Sequence, residues 1–129
     1  MSSEKNWLIR VRHILDAIRR IDEYTAGMKE DDFRRDQRTV DAVVRNFLVV
    51  GEAAGQVPAP IRQRYPEVPW SLMQGMRHVL VHDYDMIRED IVWRTLKQNL
   101  PSLVAPLERI LQENSQAGNQ QGLAGGAGA

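Results

Sequence analysis

The chain has 129 residues, enough for one hydrophobic core and too few for two. Lysine plus arginine and aspartate plus glutamate each number 17, so bulk charge signals neither nucleic acid nor membrane, and any grip on RNA must come from a local patch. Cysteine is absent, which excludes disulfides, thiolate metal sites and a cysteine nucleophile.

No run approaches the roughly 18 apolar residues of a membrane span, and the opening M-S-S-E-K-N-W lacks the apolar core of a signal peptide. A cytoplasmic setting with no membrane partner is therefore expected, in keeping with the missing cysteines. Over residues 5–28, Trp7, Val11, Ile14, Ile18, Ile21 and Met28 step by fours and threes, with Thr25 filling the last gap. That spacing predicts a long amphipathic helix with a seam-like face, Ser3 as its cap and Gly27 weakening its end. His13 falls between seam positions and is expected to be a solvated or half-buried side chain. Residues 29–38 are dominated by charge and read as a turn and solvated connector.

A second helix is predicted over residues 36–56, with Val40, Val43, Val44, Phe47, Val50 and Ala54 on one face. Arg45 and Glu52 mark another face. Seven residues apart, they can look into one groove or form an ordinary solvated surface. Gly51 costs about 1 kcal/mol relative to alanine in mid-helix, which points to close packing at that position. Residues 57–69 hold four of the six prolines. Pro58 and Pro60 suit the first turn of a short helix ending near Tyr65, and Pro66 and Pro69 stop and restart the chain. Trp70 is expected to anchor this corner in the core.

A third helix is predicted from Pro69, carrying Leu72, Met73, Met76, Val79 and Leu80 inward. A fourth begins near Arg88, with Trp93, Leu96, Leu100, Leu103, Leu107 and Ile110 stepping by threes and fours across a kink or restart at Pro101. From Gln112 the chain is rich in Gln, Asn, Ser, Gly and Ala, a composition that cannot bury enough to order itself. The expected organisation is an all-α bundle of four to five up-and-down helices over residues 1–111, then a disordered tail over 112–129.

Chemistry concentrates in residues 75–84, G-M-R-H-V-L-V-H-D-Y, which place Arg77, His78, His82, Asp83 and Tyr84 within eight positions. An arginine can neutralise charge growing on phosphate oxygens, and a histidine can move a proton near neutral pH. Arg77 and His82 are five apart, about 140° beyond a full turn, so they would not meet on one straight helix. Either the helix ends near Val81, or the two converge on a ligand from different sides, or a second chain completes the site. His78 and His82 also have the i, i+4 spacing of helical zinc sites. Val79 and Leu80 stand where such a site would want a general-base glutamate, and Asp83 or Asp85 would have to complete the ligands.

The ordered set Arg77, four residues, His82, one residue, Tyr84 resembles the R-x4-H-x-Y signature of HepT-like toxins in the HEPN superfamily. The surroundings resemble it too: R-N-F-L-V-V-G-E-A-A at 45–54, P-W at 69–70, G-M-R before the motif, and D-I-V-W and L-P after it. The likeness covers residues 5–111. His78 departs from it, because the family has asparagine after the arginine.

The resemblance implies a HEPN-type bundle and a ribonuclease with no metal and no cofactor. Arg77 would bind and stabilise the phosphate and His82 would transfer protons. His78, Arg45 and Glu52 would support them or contact substrate. A ribose 2′-OH would attack phosphorus in the cleft of a homodimer, which brings two motif histidines together. The expected partners are RNA, not DNA, and a minimal nucleotidyltransferase antitoxin that silences the toxin by AMPylation of Tyr84. The alternative is a non-catalytic helical dimer that binds RNA, a nucleotide or the nucleotidyltransferase.

Overall fold

Two long helices with matching apolar seams set the architecture. The computed structural model describes residues 2–80 and 87–126, with side chains described for residues 6–78 and 87–115. Helix α1, Ser2–Thr25, buries Trp7, Val11, Ile14, Leu15, Ile18 and Ile21. Thr25 continues the seam and is buried because its hydroxyl donates to the Ile21 carbonyl at 2.8 Å. The helix ends there, short of the predicted Met28. Gly27 adopts φ +77°, a conformation glycine supplies without a Cβ penalty, so it stops the helix and does more than weaken it. Ser3 lies inside α1, not at a cap.

The charged stretch 29–38 is not a solvated connector. It contains helix α2, Glu30–Arg35. Lys29 N–H donates to the Asp32 carboxylate at 2.9 Å, three acids fill the first turn and two arginines the last, as the helix dipole favours. Phe33 is fully buried and sets its ring 5.3 Å from that of Trp93. One aromatic side chain thus pins an otherwise polar helix to the core.

Helix α3, Gln37–Gly55, starts at Asp36, whose carboxylate accepts from Thr39 N–H at 3.1 Å. Hydrogen bonding from the Thr39 side chain, and then from its backbone N–H, holds the Asp36 carboxyl below its ordinary range. All six predicted apolar positions of this helix are buried, together with Asn46, whose amide donates to the Ala42 carbonyl. Arg10 and His13 of α1 share a hollow with Glu52 and Gln56, while Arg20 and Tyr24 share one with Ala42 and Asn46. The two helices therefore run antiparallel, and they form the central pair.

Helix α4, Ala59–Arg64, follows Pro58. Helix α5, Trp70–Gly75, follows Pro69. Trp70 is buried as expected, its indole N–H donating to the Tyr65 carbonyl at 3.0 Å. Met73 and Met76 point inward, but Leu72 is 39% exposed. Only one face of this six-residue helix meets α3; Trp70 and Met73 occupy it, and Met76, the first residue past its end, continues it.

Helix α6, Glu89–Gln98, and helix α7, Pro101–Gly126, are separated at the predicted restart. Leu96, Leu100, Leu103, Leu107 and Ile110 are buried along them, and Trp93 is half-buried. Helix α7 packs on α1, where Arg19 pairs with Glu108 at 3.0 Å. Helix α2 bridges α3 and α6, and α5 packs on α3. Among the described residues the fold is all-α, and no helix is long and apolar enough to cross a membrane.

Candidate active site

The α5 helix ends at Gly75, and the chain tightens into a 3-10 turn, Met76–Leu80. The predicted continuous third helix is therefore broken one residue before Met76 and two before Arg77. In the tighter turn, neighbouring side chains are about 120° apart, so Arg77 and His78 leave the backbone in different directions. Met76 is buried, and both Arg77 and His78 are exposed.

The turn lies directly on α3, and Gly51 is the reason it can. A Cβ added to Gly51 would stand 2.8 Å from Arg77 Cβ and 2.9 Å from Arg77 N, closer than real Cβ contacts. The close packing expected at Gly51 is thus a contact with the motif arginine itself. One residue on, Glu52 places its carboxylate 3.9 Å from the Arg77 guanidinium, with the two side chains 64% and 47% exposed. In that much solvent the pair contributes little to stability. What it does is bias where the guanidinium rests.

Arg45 and Glu52 do face one groove. It is a hollow of about 340 Å³ between α1 and α3, floored by Leu48, Val49 and Ala53. The α1 wall is made by Arg10 and His13, which the linear pattern did not single out as site residues. Their proximity follows from the antiparallel register of α1 on α3. Three residues apart on one helix face was the available signal. His13 is solvated, as expected, but it opens on the same space as Glu52.

Of the expected site residues, Arg77, Glu52 and Arg45 are thus brought together along one edge of α3. His78 shares the turn with Arg77 without a described contact to the groove. His82 and Tyr84 lie outside the described residues, as do Asp83 and Asp85 of the zinc alternative. Among the described residues, no group of three or more His, Asp or Glu side chains is placed to hold a metal ion.

Comparison with known proteins bears on this arrangement. A family model described as Ribonuclease HepT-like matches residues 14–110. A probable ribonuclease HepT of Thermococcus cleftensis is 34% identical over 108 residues, covering 84% of this chain and 96% of that protein. A protein of Methanocaldococcus jannaschii named gamma-glutamylcyclotransferase and putative RNase is 33% identical over 109 residues. That match covers 84% of this chain but 49% of the relative, so the chain spans about half of that relative's length. A putative RNase of Caldanaerobacter subterraneus is 32% identical over 103 residues, covering 80% of this chain and 92% of that protein. No solved structure matches the chain. With three quarters of its length matched, from the middle of α1 to the buried part of α7, the chain belongs to the HepT-like ribonuclease family.

Proposed function

We propose that the protein is a metal-independent endoribonuclease, the toxin of a toxin–antitoxin pair whose antitoxin is a minimal nucleotidyltransferase. Ribonuclease activity is the family's chemistry. The observation that carries the reading is the setting of Arg77: exposed, on a tight turn seated on Gly51, with its guanidinium steered by Glu52, which also lines the groove that Arg10, His13 and Arg45 share. A cation so placed can receive a phosphodiester without first breaking a strong buried ion pair.

In the proposed reaction, a base removes the ribose 2′-OH proton, and the 2′-oxygen attacks phosphorus. The 5′-oxygen leaves with a proton from an acid, giving a 2′,3′-cyclic phosphate and a free 5′-hydroxyl. Arg77 binds the phosphate and stabilises the added charge in the transition state, a contribution often worth several kcal/mol. His82 transfers protons. A base and an acid are both needed while each chain carries one motif histidine, so a two-fold dimer facing both motifs into one cleft supplies the pair. Tyr84, two residues past His82, is the proposed site of AMPylation by the antitoxin.

The test is purified protein incubated with total RNA in chelator, with wild type and Arg77→Ala in parallel. Cleavage by wild type alone, ending in cyclic phosphate, is the expected result. RNA binding without cleavage would replace this reading with a non-catalytic module.

A further inference from the structure

A second hollow, of about 290 Å³, adjoins the one beside Glu52 and shares Arg45 and Val49 with it. Together they make one trough along the α1/α3 crossing. One end lies at Glu52, against Arg77; the other lies at Arg20 and Tyr24. From Arg10 to Arg20 the helix rises about 15 Å, room for several nucleotides of extended strand.

The lining has the chemistry of a single-strand channel. Arg10, Arg20 and Arg45 line it, and none of the three pairs with a described carboxylate within 4 Å. Its one carboxylate, Glu52, is already turned to Arg77. Tyr24 is 40% exposed at the far end and offers a ring face, while Val49 and Ala42 give an apolar floor. Cations along a groove with an aromatic platform grip phosphates and stack bases without reading sequence.

We propose that this trough is the path of single-stranded RNA on one side of the scissile phosphate, with Arg10, Arg45 and Arg20 as phosphate contacts and Tyr24 as a stacking platform. The inference rests on the ribonuclease reading and adds to it a substrate class: unpaired RNA extending several nucleotides from the cut, in place of a duplex or a dinucleotide.

The probe is a fluorescein-labelled 2′-O-methyl RNA of about 12 nucleotides, which lacks the attacking hydroxyl and fits the usual single-strand site sizes. Anisotropy is measured on full-length protein across a salt series, with solution mass measured alongside. Each lost phosphate contact lowers the slope of log K on log salt by about 0.7 for a single strand, so Arg10→Gln with Arg45→Gln should lower it by about 2 × 0.7 = 1.4. Tyr24→Ala should weaken binding roughly tenfold with little change in slope. Arg109→Gln, on the exposed face of α7, should change neither.

An unchanged slope in the double variant, while wild type still cleaves RNA, overturns the path and leaves the ribonuclease standing. An equal loss in Arg109→Gln overturns it in favour of diffuse charge. A drop from dimer to monomer in the double variant overturns it in favour of a subunit interface. Wild type that neither binds nor cuts RNA defeats the ribonuclease reading, and the path with it.

Discussion

Gly51 and Arg77 are in backbone contact: there is no room between α3 and the 3-10 turn for a single methyl group. The atoms that block it are Arg77 Cβ, Arg77 N and the Gln74 carbonyl, none of which is the far end of a flexible side chain. Gly51→Ala would gain up to about 1 kcal/mol of helix propensity. Forcing two backbones apart costs about 1–3 kcal/mol, which outweighs it. The variant is expected to melt lower than wild type and to lose cleavage more than tenfold, because the turn that carries Arg77 must move. A Gly51→Ala protein that melts higher and cuts normally would show that the contact is not what places the arginine.

Arg77→Ala is expected to behave in the opposite way, losing function and keeping stability. Its side chain is about half exposed and its only described ion pair is long, so the melting temperature should move by no more than about 2 °C. Cleavage should fall by at least about a hundredfold, the usual consequence of removing a donor to transition-state charge. Arg77→Lys should recover only part of it, since an ammonium lacks the two-pronged geometry that fits a phosphate. His82→Ala should also be inactive, and chelator should leave wild type unaffected. Loss of activity in chelator with recovery on zinc would favour the His78/His82 metal site.

Glu52 sits where it can steer Arg77 without contributing much to the fold. Glu52→Gln keeps the shape and removes the charge. The expected outcome is an unchanged melting temperature within about 2 °C and cleavage lowered by less than Arg77→Ala lowers it. Faster cleavage than wild type would instead mean that the carboxylate competes with the substrate phosphate for Arg77.

What could be read in the chain beforehand was whatever repeats or breaks a repeat. The seams of α1 and α3 step by threes and fours over many turns, and every predicted α3 position is buried. Prolines and glycines carried their own geometry, so the restart at Pro101, the short helix after Pro58 and the tight packing at Gly51 were all legible. Helix α2 was not, because six residues with one apolar side chain have no period to detect. Leu72 was misplaced for a related reason, since one turn of pattern does not say which face a short helix buries. The switch to a 3-10 turn at Met76 has no composition signal in M-R-H-V-L. Arg10 and His13 joined the site only through the register of one helix on another, a property of two packed faces that neither segment contains alone.

Phe33 makes the α2 correction testable. It is fully buried, against Trp93 of α6, and it is the only apolar residue of its helix. Phe33→Ala should cost about 3–5 kcal/mol, a large share of the total stability of a domain this size. A solvated connector would lose almost nothing. Urea denaturation of wild type and variant decides between them, and Phe33→Leu should fall between the two.

Tyr84 is where regulation is expected to act. In the proposed modification the tyrosine oxygen attacks the α-phosphorus of ATP, pyrophosphate leaves, and each AMP added brings one phosphodiester charge and an adenine ring. Arg77, seven residues earlier, is exposed and only loosely held by Glu52, so it can turn to that charge. The adenine would then take space that RNA needs at the mouth of the trough. The modified protein would carry its own substrate mimic, and inhibition would depend on the arginine as well as on the tyrosine. Two measurements follow. Intact-mass spectrometry after incubation with the nucleotidyltransferase and ATP should show gains in AMP units, confined to the peptide containing Tyr84 and absent from Tyr84→Phe. Binding of the 2′-O-methyl RNA should weaken at least tenfold on modification of wild type, and much less on modification of Arg77→Ala, which has no guanidinium to sequester. AMP on another residue, or a Tyr84→Phe variant still silenced by the nucleotidyltransferase and ATP, would place the control elsewhere. Equal weakening in Arg77→Ala would keep the control point but make it a steric block without the ion pair.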